Sequence, residues 1–449
     1  MASTSGLPTS TTHQQSPLTQ LRTLIRRILR SATFSQGVCA IMDQAVTSGG
    51  RFVSTILVGR ACGADGLGLY SLGMSVAMIA LAIQHSLITA PYTVYLHRRS
   101  EKSSQQRYAG SMLVAWVVLA CVIGLVGVSA SNFLSMQQSQ GAMSTLLRVL
   151  ALGIPILLLR ELVRQLTFAK LRFKAALLVD SLAASLQIAF LLTLSYLEQL
   201  TPYSAWLAIA SAYAFTCGIW FYLSREMFQI RKGDFVPDVS QNWRVGRWDL
   251  ASNVLMNCQL YLMHWCLAIW IGVEATGVYA ACATVLLFAN PIIMGLGNYL
   301  MPRVSRTLST EGVDAMAQVV RKATMILGGT MIVFSIFAVT LGGFALELFF
   351  QIEPTAAHRI VIALLAASAT AGSIGVGPEW ALLAIQKPRT TFFSVCTGLS
   401  TTILAAIIFV KPFGVIGAAL GLFLGNMLSA SYIWLAYRVV IRHQLRQAN

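Results

Sequence analysis

Charge is what this 449-residue sequence has least of. Only 11% of its residues are Asp, Glu, Lys or Arg, against about 25% in a soluble domain, and 56% are hydrophobic. That balance excludes a soluble protein and leaves an integral membrane one. Acidic residues are scarcest: 16 Asp and Glu stand against 32 Lys and Arg, a formal charge of +16. No basic stripe lies in a soluble segment large enough to fold, so the excess does not point to nucleic acid. The eight cysteines fall almost entirely in apolar runs and form no Cys-x-x-Cys or Cys/His pattern, so no disulfide framework, metal or cofactor is expected. A Gly-x-x-x-x-Gly-Lys loop is missing, which argues against direct use of ATP. Long outer connections with paired catalytic residues are missing too. That excludes a membrane glycosyltransferase or polymer ligase, and no enzyme is expected.

What is there is a series of continuous apolar runs near 20 residues, the length that crosses a hydrocarbon core of about 30 Å. Twelve are expected. The first six run from about Gly37 to Gly59, Leu69 to Tyr92, Ser111 to Val128, Leu146 onward, Ala175 to Leu194 and Tyr203 to Leu223. The second six cover about Leu250–Ile271, Val278–Leu300, Ala323–Leu341, Arg359–Ile385, Thr391–Phe409 and Gly414–Tyr437. This predicts a tail with a basic amphipathic helix over 1–35, six-helix lobes over 36–224 and 248–437, a linker over 225–247 and a basic tail over 438–449. Met1–Pro17 has no charged residue and reads as disordered, not as a cleavable signal peptide. In Leu18–Ser31, Leu18, Leu21, Ile25 and Ile28 share one helix face opposite four arginines, as suits an anionic leaflet or a docking partner. Placing the N-terminus inside puts 27 of the 32 Lys and Arg on the cytoplasmic side, which predicts that both termini lie there.

Polar residues inside spans are the functional candidates, because a lipid-facing charge is costly. Asp43, Thr47, Arg51 and Ser54 share one face of the first span, and Asp249, Asn253, Asn257 and His264 one face of the seventh. Arg51 offers a bidentate, permanently protonated fork for a phosphate group, or pairs with a carboxylate to hold the bundle together. Asp43 suits a coupling proton or cation, orients arginines, or sits near the cytoplasmic surface at a helix start. Asp249 suits a cap or an interface. His85 and His264 are mid-span imidazoles able to titrate or simply to pack. Asn253 and Asn257 suit sugar hydroxyls or helix contacts equally. Asp180 and Glu379 are expected to pair with Arg164, Lys170, Lys387 or Arg389 near the cytoplasmic ends of their spans.

The two halves repeat. Gly63-Ala-Asp65-Gly-Leu-Gly68-Leu-Tyr70 matches Gly272-Val-Glu274-Ala-Thr-Gly277-Val-Tyr279 at an offset of 209, and Lys170-Leu-Arg172 matches Lys387-Pro-Arg389 at 217. The first string reads as a tight outer turn whose tyrosine anchors the next helix at the membrane interface. Six spans per half keep the halves parallel, with a central cavity between the lobes near the midplane. Arg51 falls opposite Leu260 at 209 and opposite Asn257 at the 206 that aligns Asp43 with Asp249, and both are neutral, so the cation belongs to one lobe alone.

The Gly-x-(Asp/Glu)-x-x-Gly-x-Tyr turn, the stretch Leu159–Arg172 and Gly414-Val-Ile-Gly-Ala-Ala-Leu-Gly421 resemble the polysaccharide-export flippases of the multidrug/oligosaccharidyl-lipid/polysaccharide (MOP) superfamily. The resemblance runs from about Gln36 to Tyr437. It implies alternating access in the cell inner (cytoplasmic) membrane and a cargo of undecaprenyl-diphosphate-linked oligosaccharide. It also implies membrane lipids and polysaccharide-assembly proteins such as a polymerase as partners. Members line the central cavity with cations, and Arg51 and Arg148 stand in such places here. The alternative is a cation-coupled multidrug or metabolite antiporter of the same superfamily, with Asp43 as its ion site.

Overall fold

The computed structural model describes residues 32–136, 141–231 and 233–448, and every regular element among them is helical. The expected disordered tail and amphipathic helix, residues 1–31, lie outside the described residues. Helix α1, Ala32–Gln84, holds two spans joined at Gly63, and continues through a π turn, His85–Thr89, into α2, Ala90–Leu96. Helices α3 (Lys102–Ser135), α4 (Gly141–Ala169), α5 (Phe173–Tyr196) and α6 (Pro202–Ser224) complete the first lobe. The second lobe begins with α7, Phe235–Trp270, and α8, Val273–Val285. Its remaining spans come from α9 (Ala289–Phe350, broken at Gly312), α10 (Ala356–Ala384) and α11 (Pro388–Ala448, broken at Gly414). Helix α8 continues through a 3-10 turn, Leu286–Phe288, into the first segment of α9 as one crossing, so each lobe has six.

Lipid, not water, surrounds these helices. Only 11% of the apolar window of α3 is buried within the protein, and Leu125, Phe337 and Leu404 point outward. Helix α7 is absent from the eight helices long and apolar enough to qualify as membrane spans. Its Asn253, Asn257, Gln259 and His264 explain that, since they face protein.

The breaks at Gly63 (φ 64°) and Gly272 (φ 138°) use backbone conformations that L side chains rarely adopt. They lie at the same end of the bundle, here called the Gly63 end. The two turns meet there. Gly68 packs against the carbonyl of Val273 and Gly277 against the carbonyl of Ala64, each so close that a Cβ would collide. Because 64 and 273, like 68 and 277, differ by 209, the contact is reciprocal. Arg60 donates to the Leu348 carbonyl in the last turn of α9 at 2.7 Å, where helix carbonyls lack intrahelical partners. Phe52 meets Phe349 edge-on at 5.3 Å. The lobes are in close contact at this end.

At the opposite end α7 reaches across to the first lobe. It begins at Phe235, inside the stretch expected as a linker, and Asp238, Asn242 and Gly246 form one buried row. Asp238 pairs with Arg99 at 2.6 Å, and Asn242 accepts from Tyr108 Oη at 2.8 Å. Pro91 has no N–H, so the Leu87 carbonyl four residues earlier loses its helical donor. Asn242 Nδ2 supplies one at 3.2 Å.

Candidate substrate cavity

Residues 43, 47, 51 and 54 share one face of span one, as their spacing predicts, and that face turns into the first lobe. Asp43 is fully buried and accepts from Arg164 Nη2 at 2.9 Å. Arg164 Nε also lies 3.1 Å from Asp180, and Arg160 Nη2 lies 2.8 Å from the other Asp180 oxygen and 3.3 Å from Thr47 Oγ1. Glu161 pairs with both arginines, at 3.6 and 3.4 Å. Gln187 donates to Ser54 Oγ and accepts from Tyr213 Oη at 2.8 Å. Buried carboxylates are tolerable only when paired, and here two guanidinium groups are threaded among three carboxylates. Arg51 is the exception. Its guanidinium makes no ion pair or hydrogen bond with any described residue.

That unpaired cation lines two cavities. A pocket of about 60 Å³ inside the first lobe is lined by Thr47, Arg160, Glu161, Gln187 and Tyr213. A cavity of about 330 Å³ lies between the lobes. Arg51, Tyr70, Met74 and Met78 line both. The interlobe cavity obeys the repeat. Its six first-lobe residues, Arg51, Thr55, Tyr70, Ser71, Met74 and Met78, each have a counterpart 209 positions later that lines it too: Leu260, His264, Tyr279, Ala280, Ala283 and Leu287. The second lobe adds Tyr261, Ser368 and Asn426. No carboxylate is among the described lining residues.

Of the residues singled out from the sequence, Arg51 and His264 line the interlobe cavity and Thr47 lines the first-lobe pocket. The others lie elsewhere. Asp43 sits twelfth in α1, covered by Arg164, so it is neither a cavity residue nor a helix start. Arg148 is at the Gly63 end of α4 and donates to Ser131 Oγ at 3.0 Å, away from both cavities. His85 is exposed in the π turn, its Nδ1 3.3 Å from Thr89 Oγ1. Asn253 donates to Ser86 Oγ at 3.3 Å, and Asn257 donates to the Asn253 carbonyl of its own helix. Asp249 accepts from Ser86 Oγ at 2.7 Å, which makes it an interface residue.

Asp180 pairs with Arg164 as expected, and with Arg160 besides, whereas no ion pair of Glu379 occurs among the described residues. Tyr70 and Tyr279 are 2% and 1% exposed and line the cavity, so they are not interfacial anchors. Arg160 reads in sequence as the basic far end of span four. It lies instead in the heart of the lobe, because α4 runs unbroken to Ala169 and turns that arginine inward. Its signal is the i, i+4 pair with Arg164, two cations on one face of an otherwise apolar helix.

No family model matches the sequence, and no curated protein matches it. Solved structures do match the fold. A structure described as the inward-facing conformation of a multidrug resistance MATE family transporter of the MOP superfamily superposes with a TM-score of 0.77 at 16% identity, covering 91% of this chain and 100% of that one. An outward-facing conformation under the same description gives 0.64 at 16% identity, with 91% and 95% covered. A MOP superfamily transporter from Pyrococcus furiosus, described as having a binding pocket of reverse polarity, gives 0.67 at 17% identity, with 93% and 97% covered. At these identities the likeness establishes the fold: the chain has the two-lobed architecture of MOP superfamily transporters.

Proposed function

We propose that the chain is a transporter of this architecture that moves a lipid-linked oligosaccharide, of the undecaprenyl-diphosphate type, across the cell inner membrane. Arg51 holds the diphosphate. The observation that carries this reading is the charge of the interlobe cavity: one unpaired guanidinium and no carboxylate among its described lining. A cationic drug in the interlobe cavity would meet Arg51 and no acid in the described lining. An anionic headgroup meets a bidentate donor in a site where little water screens the attraction.

The lobes rock against each other around that site by alternating access. The distribution of Lys and Arg supports a cytoplasmic position for both termini and an outer one for the Gly63 end. The close contact of the two turns at the Gly63 end and the higher score against the inward-facing relative support a state shut on the outer side. Polysaccharide-assembly enzymes, a polymerase among them, are the partners this reading implies on the outer side.

The second reading, a cation-coupled multidrug or metabolite antiporter, draws on the buried carboxylates Asp43, Glu161 and Asp180 and on the descriptions of the structural relatives. The two readings separate in proteoliposomes. Under the first, purified protein translocates undecaprenyl-diphosphate-linked N-acetylglucosamine, scored by its accessibility to an external galactosyltransferase, and Arg51→Ala stops it. Under the second, the lipid stays put, an organic cation exchanges against a sodium or proton gradient, and Asp43→Asn abolishes the exchange.

A further inference from the structure

The two walls of the interlobe cavity differ in charge although the repeat relates them. The first-lobe wall carries Arg51. The second-lobe wall carries Leu260 at the matching place, and around it stand His264, Tyr279, Ser368 and Asn426. These four are polar but none is a fixed cation. Asn426 accepts from Gln259 at 2.9 Å and donates to Ser368 Oγ at 2.9 Å, which holds the amide in one orientation. Its second N–H and the Ser368 hydroxyl proton go to no described residue. His264 packs between the rings of Tyr261, at 5.4 Å, and Tyr279, at 4.9 Å. His264 Nδ1 and Tyr279 Oη are buried without a hydrogen-bond partner among the described residues. Both atoms are closed off from the cavity, so the groups this wall can turn to a ligand are the second Asn426 N–H and the Ser368 hydroxyl.

We infer that the second-lobe wall recognises an uncharged sugar, so that the cargo is a lipid diphosphate whose first sugars are neutral and not uronic or sialic acids. The inference rests on the proposed function and narrows it. Aromatic rings cover the C–H face of a pyranose, while a fixed amide and hydroxyls bond its ring hydroxyls. The diphosphate occupies Arg51, the one cation described in the lining. A carboxylate on the sugar would reach Leu260 and its neutral neighbours, giving up its water for no ionic partner. The volume agrees: about 330 Å³ is near the lower end of the roughly 300–1,000 Å³ usual for ligand cavities, room for a short headgroup and not a long glycan.

The test uses the full chain in proteoliposomes with two probes, undecaprenyl diphosphate bearing N-acetylglucosamine or glucuronate. Wild type is expected to translocate the neutral lipid at least about tenfold faster. Asn426→Leu lowers that neutral rate by about tenfold. Leu260→Arg, at a position half exposed to the cavity, supplies the missing cation and raises the glucuronate rate. Equal rates for both lipids, or a faster glucuronate lipid, overturn the neutral-sugar assignment and leave the flippase reading standing. Failure of wild type to move either lipid overturns both. A Leu260→Arg protein that moves the neutral lipid but gains nothing with glucuronate also overturns the assignment.

Discussion

Arg51 and Leu260 occupy matching positions on the two walls of the interlobe cavity, 209 residues apart, and only one of them is charged. Around them the repeat is kept: Tyr70 answers Tyr279, and Thr55 answers His264. The two walls are thus lined by matching positions, and the charge at one of them gives the cavity a pole. Arg51 makes no ion pair among the described residues and meets Glu161 only across the first-lobe pocket, while Arg160 and Arg164 are held by Asp43, Glu161 and Asp180.

Replacing Arg51 should act on transport and not on folding. Hydrogen bonds to a charged group contribute about 1.5–3 kcal/mol, so Arg51→Ala is expected to slow translocation of an undecaprenyl-diphosphate sugar about ten- to a hundredfold. Arg51→Lys keeps the charge but loses the planar fork, and the loss should be smaller. Initial rates in proteoliposomes, with the melting temperature of each variant in detergent, check both halves. A large fall in melting temperature would assign Arg51 to the scaffold instead.

Arg164 is the opposite case. It touches Asp43, Glu161 and Asp180, and Asp43 has no other ion pair among the described residues. Arg164→Met strands a fully buried carboxylate and is expected to destabilise the first lobe by about 3–5 kcal/mol. Asp43→Asn should cost less, because Arg164 keeps two acidic partners. Thermal unfolding of the two variants in the same detergent checks the order. If Asp43→Asn proves the more damaging, the charge balance drawn around Arg164 is wrong.

Much of this architecture is legible in sequence because lipid imposes it. A chain that must satisfy its backbone without water writes its spans as long apolar runs. The face of Asp43, Thr47, Arg51 and Ser54 is legible for the same reason, since a polar row at helical spacing cannot face lipid. Arg160 is not. Its partner Asp180 sits on the next helix, and no local pattern tells a cation at a basic helix end from one folded inward. Asp238, Asn242 and Gly246 mislead in another way. They are as polar as a linker, and only the opposite lobe makes them a buried helical row. Asn426 and Ser368 belong to different helices, and their meeting depends on how α10 packs against α11.

The contact between spans two and seven should act as a latch. Ser86 in the π turn donates to Asp249 and accepts from Asn253, and Gly246 packs on its carbonyl. Ser86→Ala removes both side-chain bonds, worth about 0.5–1.5 kcal/mol each when neutral and more to a carboxylate, so roughly a tenfold shift toward a parted contact is expected. Spin labels at Thr93 and Arg247, both exposed at this end, report it as a longer distance population in a cysteine-free background. An unchanged distribution would show that Asp238 and Asn242 hold α7 by themselves.

The seam at the Gly63 end has less latitude, because it is made of backbone. A Cβ at Gly277 would run into the Ala64 carbonyl, and one at Gly68 into the Val273 carbonyl, and no rotamer relieves either clash. Overpacking of this kind costs about 1–3 kcal/mol, and the cost falls only on the state in which the seam is shut. Gly277→Ala and Gly68→Ala should therefore each slow transport by trapping the protein open at that end, with little change in folding. Because the contact is reciprocal, their effects should match in size and the double variant should add little once the seam has parted. Gly329→Ala, where a Cβ meets nothing within 4 Å, is the control expected to transport normally. Cys62 beside the turn offers a native reporter: it is half-buried, its thiol 3.2 Å from the Leu200 carbonyl, and its alkylation by an impermeant maleimide should quicken in both glycine variants. Slower transport without faster Cys62 labelling would mean that these alanines distort the turns themselves and leave the seam closed.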